Sequence, residues 1–230
     1  MNTIMNQQSF LVNSKINAPI QSYRRYYPNN NEELYDAISK LLLRGNTDLN
    51  CIDTSKIEDM SYLFSGIQLD LMTEVDISKW DVSNVKDMNH MFDDCINFNA
   101  DISNWNVSNV ENMTSMFDGC QIFNQDLSKW NVSKVKHMAY MFNNCLSFNQ
   151  NLNDWNISSL TNAFNMFRNC IEINQNFDKW DVSKVENMKS MFFNCQKLNS
   201  NFNSWHVNTK NISNMFVKCE SMSDFPIWYI

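Results

Sequence analysis

Six tryptophans, Trp80, Trp105, Trp130, Trp155, Trp180 and Trp205, follow one another at steps of 25 residues without exception. Cys95, Cys120, Cys145, Cys170 and Cys195 keep the same step. A period of this length confines a chain to repeat architectures, where each unit is too small to bury its own apolar face and gains stability by stacking on its neighbours. Length alone would suggest one large domain or two small ones for 230 residues; the period replaces that reading with an array. A weaker turn precedes the first tryptophan. "DLNCIDTSKIEDMSYLF" aligns with "DISKWDVSNVKDMNHMF", setting Ile52 in the Trp column, Met60 in the Met column and Phe64 in the Phe column. After Trp205 the unit shortens by one residue, and Trp228 takes roughly the last rung.

Within a unit the apolar spacing changes. Trp105 and Val107 flank Asn106, an alternation that predicts a short strand. Ser55, Ser108 and Ser183 each precede a Glu by three residues, the pattern of a capping box at a helix start. Beyond it Val110, Met113, Met116, Phe117 and Cys120 fall at intervals of three and four, which predicts a helical stripe. The expected fold is an α/β solenoid of short parallel strands and short helices, about seven to eight turns long. Asn99, Asn124, Asn149, Asn174 and Asn199 read as an inward ladder that serves the corner amides of a chain with only three Gly and three Pro. Ahead of the array, "NNNEELYDAISKLLLRGN" offers Asn30 as a cap, Glu33 three residues on, apolar Leu34, Ile38, Leu41 and Leu42, and Gly45 as a stop. The chain is thus divided into an irregular or partly disordered segment (1–30), an amphipathic capping helix (31–46), the solenoid (47–222) and an apolar C-terminal cap (223–230).

Three stretches, "DTSKIEDMSYLF", "ISKWDVSNVKDMNHMFDDC" and "FNADISNWNVSNVENMTSMFDGC", resemble the repeat of the BspA-type leucine-rich-repeat family, known in bacterial surface proteins and in mycoplasma proteins of unknown function. The resemblance runs from residue 48 to about 228. It implies a right-handed leucine-rich-repeat superhelix used for binding, often to proteins, and many relatives are exported or lipid-anchored.

Charge and motif content exclude several classes. A net charge of −7 and a pI near 4.9 supply no positive field for nucleic acid. No run of about 18 apolar residues occurs, so membrane insertion is not expected. The N-terminal stretch lacks a signal-peptide-like apolar run, which makes the cytoplasm the default, while the resemblance leaves the cell surface or secretion open. Seven cysteines, an odd number without a CxxC pair, argue for buried free thiols in a reducing compartment. His90, His137 and His206 occupy three different repeat positions, and no catalytic motif is present, so no metal, no cofactor and no enzyme activity are expected. Trp shares side-chain parity with the Val two residues on, which places the rings in the core rather than on an exposed aromatic stripe for sugars. The outward residues beside the Trp column form the candidate docking strip: Lys79, Asp81, Asn104, Asn106, Lys129, Asn131, Asp154, Asn156, Lys179 and Asp181. The expected function is a non-enzymatic scaffold that recognises a protein partner, of unknown identity, through its sheet face. The alternatives are a surface adhesin or glycan-binding protein contacting host material, and an inhibitor that occupies an enzyme cleft. The sequence carries no signal for oligomeric state.

Overall fold

The computed structural model describes residues 25–67 and 70–229; expectations for residues 1–24 and for Ile230 lie outside the described residues. In the turn that begins at Ile102, the amides of Trp105, Val110, Met116, Asp118, Cys120 and Phe123 donate to the carbonyls of Ile102, Val107, Met113, Ser115, Phe117 and Cys120, at 3.0–3.2 Å. Each bond closes a β-turn, which brings its first and last residues within about 7 Å. Apolar residues occupy all of those ends except Ser115 and Asp118, and Ile102, Trp105, Val107, Val110, Met113, Met116, Phe117, Cys120 and Phe123 are all buried. The interval of three is therefore the span of a β-turn, repeated, and not the pitch of a helix.

Left-handed backbone prevents the helix. Tyr62, His90, Ser115, Tyr140, Asn165, Ser190 and Asn214 have φ between 53° and 60°. A second column, Asp94, Asn144, Asn169, Asn194 and Lys218 with Gly66 and Gly119, is left-handed as well. Such residues are disfavoured for L-amino acids by about 1–2 kcal/mol. The offsetting gain is non-local: Met113 N, Ser115 N, Phe117 N and Gly119 N donate to His137 O, Ala139 O, Met141 O and Asn143 O at 2.8–2.9 Å. Alternate amides close β-turns within a unit and tie it to the next. The ties register as isolated parallel bridges, Asp59 to Asp87 to Asn112 to His137 to Asn162 to Asn187.

Among the described residues there is one α-helix, one 3-10 turn over Asp70–Thr73 and no strand. The expected α/β solenoid of parallel strands and short helices is therefore not the fold, and a leucine-rich-repeat sheet is absent among the described residues. The strand expected at Trp105 to Val107 is caught between two β-turns, too short to pair. The helix expected after Ser108 never starts, because Ser108 N donates to Asn106 Oδ1 (3.2 Å) in an Asx-turn instead of the Ser side chain capping a helix. The Asn ladder exists but faces outward. Asn124, Asn149, Asn174 and Asn199 each donate a backbone amide to the side-chain oxygen of the Asn one unit earlier, at 2.8–3.1 Å, and Asn99, Asn149, Asn174 and Asn199 are exposed.

Stacked aromatic columns fill the core. Phe64, Phe92, Phe117, Phe142, Phe167, Phe192 and Phe216 follow one another at ring separations of 5.2–5.8 Å. A second column, Phe98, Phe123 and Phe148, gives way to Ile173 and Leu198. Four residues on, Ile102, Leu127 and Leu152 give way to Phe177 and Phe202 in the same units. This exchange conserves volume, as a close-packed interior requires. Among the described residues the Trp side carries parallel bridges only in the first units, Tyr26 to Ile52 and Asp48 to Asp76; further along, Trp105, Trp130, Trp155, Trp180 and Trp205 Nε1 donate to Ile77, Ile102, Leu127, Leu152 and Phe177 carbonyls at 2.8–3.2 Å.

Helix α1 (Asn31–Leu42) covers the first unit. Its cap is the Asn30 side chain, which accepts from Glu33 N, and its last carbonyls receive the amides of Arg44, Gly45 and Asn46, with Gly45 at φ 72°. Leu34, Ala37, Ile38, Leu41 and Leu42 are buried against the core, and Asn31 Nδ2 donates to Ser61 O (2.9 Å). At the other end Trp228 stacks on Trp205 and Tyr229 meets Phe216 edge-on.

Candidate functional site

All ten residues of the expected docking strip are exposed, in two columns on either side of the buried Trp column. They do not lie on a sheet. The column that follows Trp is shaped by the backbone: Asp81, Asn106, Asn131, Asn156 and Asp181 Oδ1 accept the amides of Ser83, Ser108, Ser133, Ser158 and Ser183 at 3.0–3.2 Å. These Asx-turns hold each side chain in one orientation, and the Ser183 hydroxyl and amide keep the Asp181 carboxyl below its usual range. In the column before Trp, Lys179 Nζ lies 2.7 Å from Asp154 Oδ1, and this carboxylate raises the lysine. Lys79 and Lys129 join none of the ion pairs among the described residues. A shallow, open depression of about 290 Å³ brings Asn104, Asn106, Lys129 and Asn131 together around the edge of Trp105. The Trp80 to Trp205 rings are 3–4 % exposed, so they offer no platform for a sugar.

A second surface, missed in the sequence, runs along the left-handed corner. His90 Nδ1 sits 2.7 Å from Asp93 Oδ2, and its ring stacks on Tyr62 at 4.6 Å. Asp94 is exposed and packs over Gly119, where a Cβ would meet its Oδ1 at 2.6 Å. Asp118 accepts from Asn143 Nδ2 (2.7 Å); burial first, then Asp93 and Asp94, push its carboxyl up to about 6. Asn143 Oδ1 is buried without a partner. Two units further the corner turns cationic: the Arg168 guanidinium lies 4.2 Å and Lys218 Nζ 5.7 Å from the centre of the Phe193 ring. The signal was present. The column Asp93, Asp118, Asn143, Arg168, Phe193, Val217 passes from acid to amide, cation, aromatic and aliphatic along the stack, while its neighbours Met91 and Phe92 recur as Met and Phe in every unit from there to Met215 and Phe216.

Among the described residues no group of three or more His, Cys, Asp or Glu is placed to hold a metal ion, and no helix is long and apolar enough to cross a membrane. The seven cysteines are free thiols, and all but Cys51 are buried. Cys120 Sγ donates to Phe92 O and Cys145 Sγ to Phe117 O, both at 3.0 Å.

Units of linked β-turns, stacked at a period of 25 residues and covered at one end by an amphipathic helix, define a repeat protein. The chain belongs to the family described as Mycoplasma protein of unknown function, DUF285, whose profile matches residues 29–153, 69–177 and 126–228. The BspA-type leucine-rich-repeat assignment is not part of that match. No curated protein and no solved structure matches the chain.

Proposed function

We propose that this chain is a non-enzymatic recognition scaffold that binds a protein partner along the strip beside the Trp column. The observation that carries the reading is the set of five exposed Asp and Asn side chains locked by Asx-turns at successive units. Side chains already ordered in the free protein lose little entropy on binding. Lys79, Lys129 and Lys179 stand on alternate units of the same strip, roughly 10 Å apart at the spacing of parallel-bridged segments. A partner surface with carboxylates at that interval matches them, and the shallow depression at Trp105 suits a flat protein surface better than a small molecule.

The test is a partner captured from the native cell, purified and titrated calorimetrically against variants of the full chain. Lys129→Glu with Lys179→Glu is expected to weaken binding at least about tenfold, or about 1.4 kcal/mol. Lys136→Glu with Lys197→Glu, exposed lysines elsewhere on the stack that pair with Glu111 and Glu172, is the charge-matched control. Equal losses in both pairs, or no loss in the first, would remove the strip as the docking surface.

A further inference from the structure

We propose that two copies of this chain pair in antiparallel register along the left-handed corner, which carries Asp93, Asp94 and Asp118 toward one end and Arg168, Phe193 and Lys218 toward the other. This surface is separate from the Trp strip. The charges occupy the same two columns of the stack and are ordered one way: the acidic units of Asp93, Asp94 and Asp118 first, then the neutral unit of Asn143 and Asn144, then Arg168, the neutral unit of Phe193 and Asn194, and Lys218. Within one copy they cannot meet. Asp118 and Arg168 are two units apart and Asp94 and Lys218 five, roughly 10 and 24 Å at the spacing of parallel-bridged segments. None of the ion pairs among the described residues involves Asp94, Asp118, Arg168 or Lys218.

A two-fold axis perpendicular to the stack, passing between the unit of Asn144 and the unit of Asn169, reverses the order in the second copy. Asp94 of each copy then faces Lys218 of the other, and Asp118 faces Phe193, over whose ring Arg168 and Lys218 lie from the units on either side. This is the self-complementarity that an isologous interface demands. A foreign partner of one charge sign would satisfy one end of the strip and oppose the other. The strip is one corner wide, so the contact falls in the small, weak class of interface, under about 1,200 Å². Its attraction is electrostatic and screened by salt.

The experiment is sedimentation equilibrium of the full chain at a high concentration, in about 0.15 M and about 1 M salt, where screening lengths are roughly 8 and 3 Å. A dimer is expected in the first buffer and a monomer in the second. Asp94→Asn places at this left-handed position the residue that Asn144, Asn169 and Asn194 already supply in theirs, so the fold is retained. It is expected to weaken dimerisation at least tenfold, as is Lys218→Glu at an exposed site. Asp94→Lys combined with Lys218→Glu exchanges the two charges and is expected to restore the dimer. A monomeric wild type at 0.15 M salt overturns the proposal, and so does a dimer that Asp94→Asn leaves unchanged or that the exchange fails to rescue.

Discussion

Replacing Trp130 probes the tie between units on the side that, among the described residues, carries parallel bridges only in the first units. The ring is 3 % exposed and packs against Phe117 at 6.4 Å, and Nε1 donates to Ile102 O at 3.1 Å. Trp130→Ala removes the ring and leaves a cavity in a unit with a full neighbour on each side, for an expected loss of about 3–5 kcal/mol. Trp130→Phe keeps most of the ring and deletes the hydrogen bond. Ile102 O still receives Trp105 N (3.1 Å), so its carbonyl is not orphaned, and the expected loss is only about 1–2 kcal/mol. Trp228, part-buried in the terminal unit, gives the reference: Trp228→Ala should cost about half as much as Trp130→Ala, because packing is missing on one side. Urea unfolding of the full chain, followed by far-UV circular dichroism and by the fluorescence of the remaining tryptophans, measures all three. In a one-dimensional array the central substitution also weakens both interfaces of its unit, so Trp130→Ala is expected to split the transition where Trp228→Ala only shifts it. A loss below about 1 kcal/mol for Trp130→Ala, or an equal loss at Trp228, would refute the picture of Trp-tied stacking.

Two further outcomes follow from the buried ionisable groups. A bulky thiol reagent should label Cys51 in the native chain and the other six cysteines only in denaturant, because burial raises the thiols, Cys219 to about 11 and Cys120, Cys145 and Cys195 well above the ordinary thiol range; rapid native labelling of the Cys95 to Cys195 column, read by mass spectrometry, would contradict it. Asp118 takes up its proton at about 6 in the folded chain and near 4 when unfolded, so between those values the folded state binds the extra proton and this residue's contribution to stability rises as pH falls. Asp118→Asn should therefore stabilise the chain at pH 7 by about 1 kcal/mol after allowance for partial exposure, with the gain fading as pH drops from 6 to 4. Denaturant midpoints at both ends of that range decide it, and a destabilised variant at pH 7 would count against the reading.

The amino-acid sequence by itself determined which apolar side chains face inward, whereas the Asn column expected inside faces out. The Trp, Met, Phe and Cys columns, the helix opened by Asn30 and closed by Gly45, and the burial of the thiols all follow from period and polarity, since apolar residues at fixed positions of a repeat have only the shared core to enter. Local backbone conformation was not legible, because Val110, Met113, Met116 and Phe117 show the same spacing whether the chain coils as a helix or folds as linked β-turns. The left-handed residues include Ser115, Tyr140, Asp94 and Lys218, types that carry no common signal for that conformation. Nor could the sequence assign Asp81 and Asn106 to Asx-turns, or show that the column of Asp94 and Lys218 turns a left-handed corner. Tertiary structure decided these points. The amides of Met113, Ser115 and Phe117 find their acceptors 24 residues away in the next unit, and that exchange of local for non-local hydrogen bonds exists only once the units are stacked.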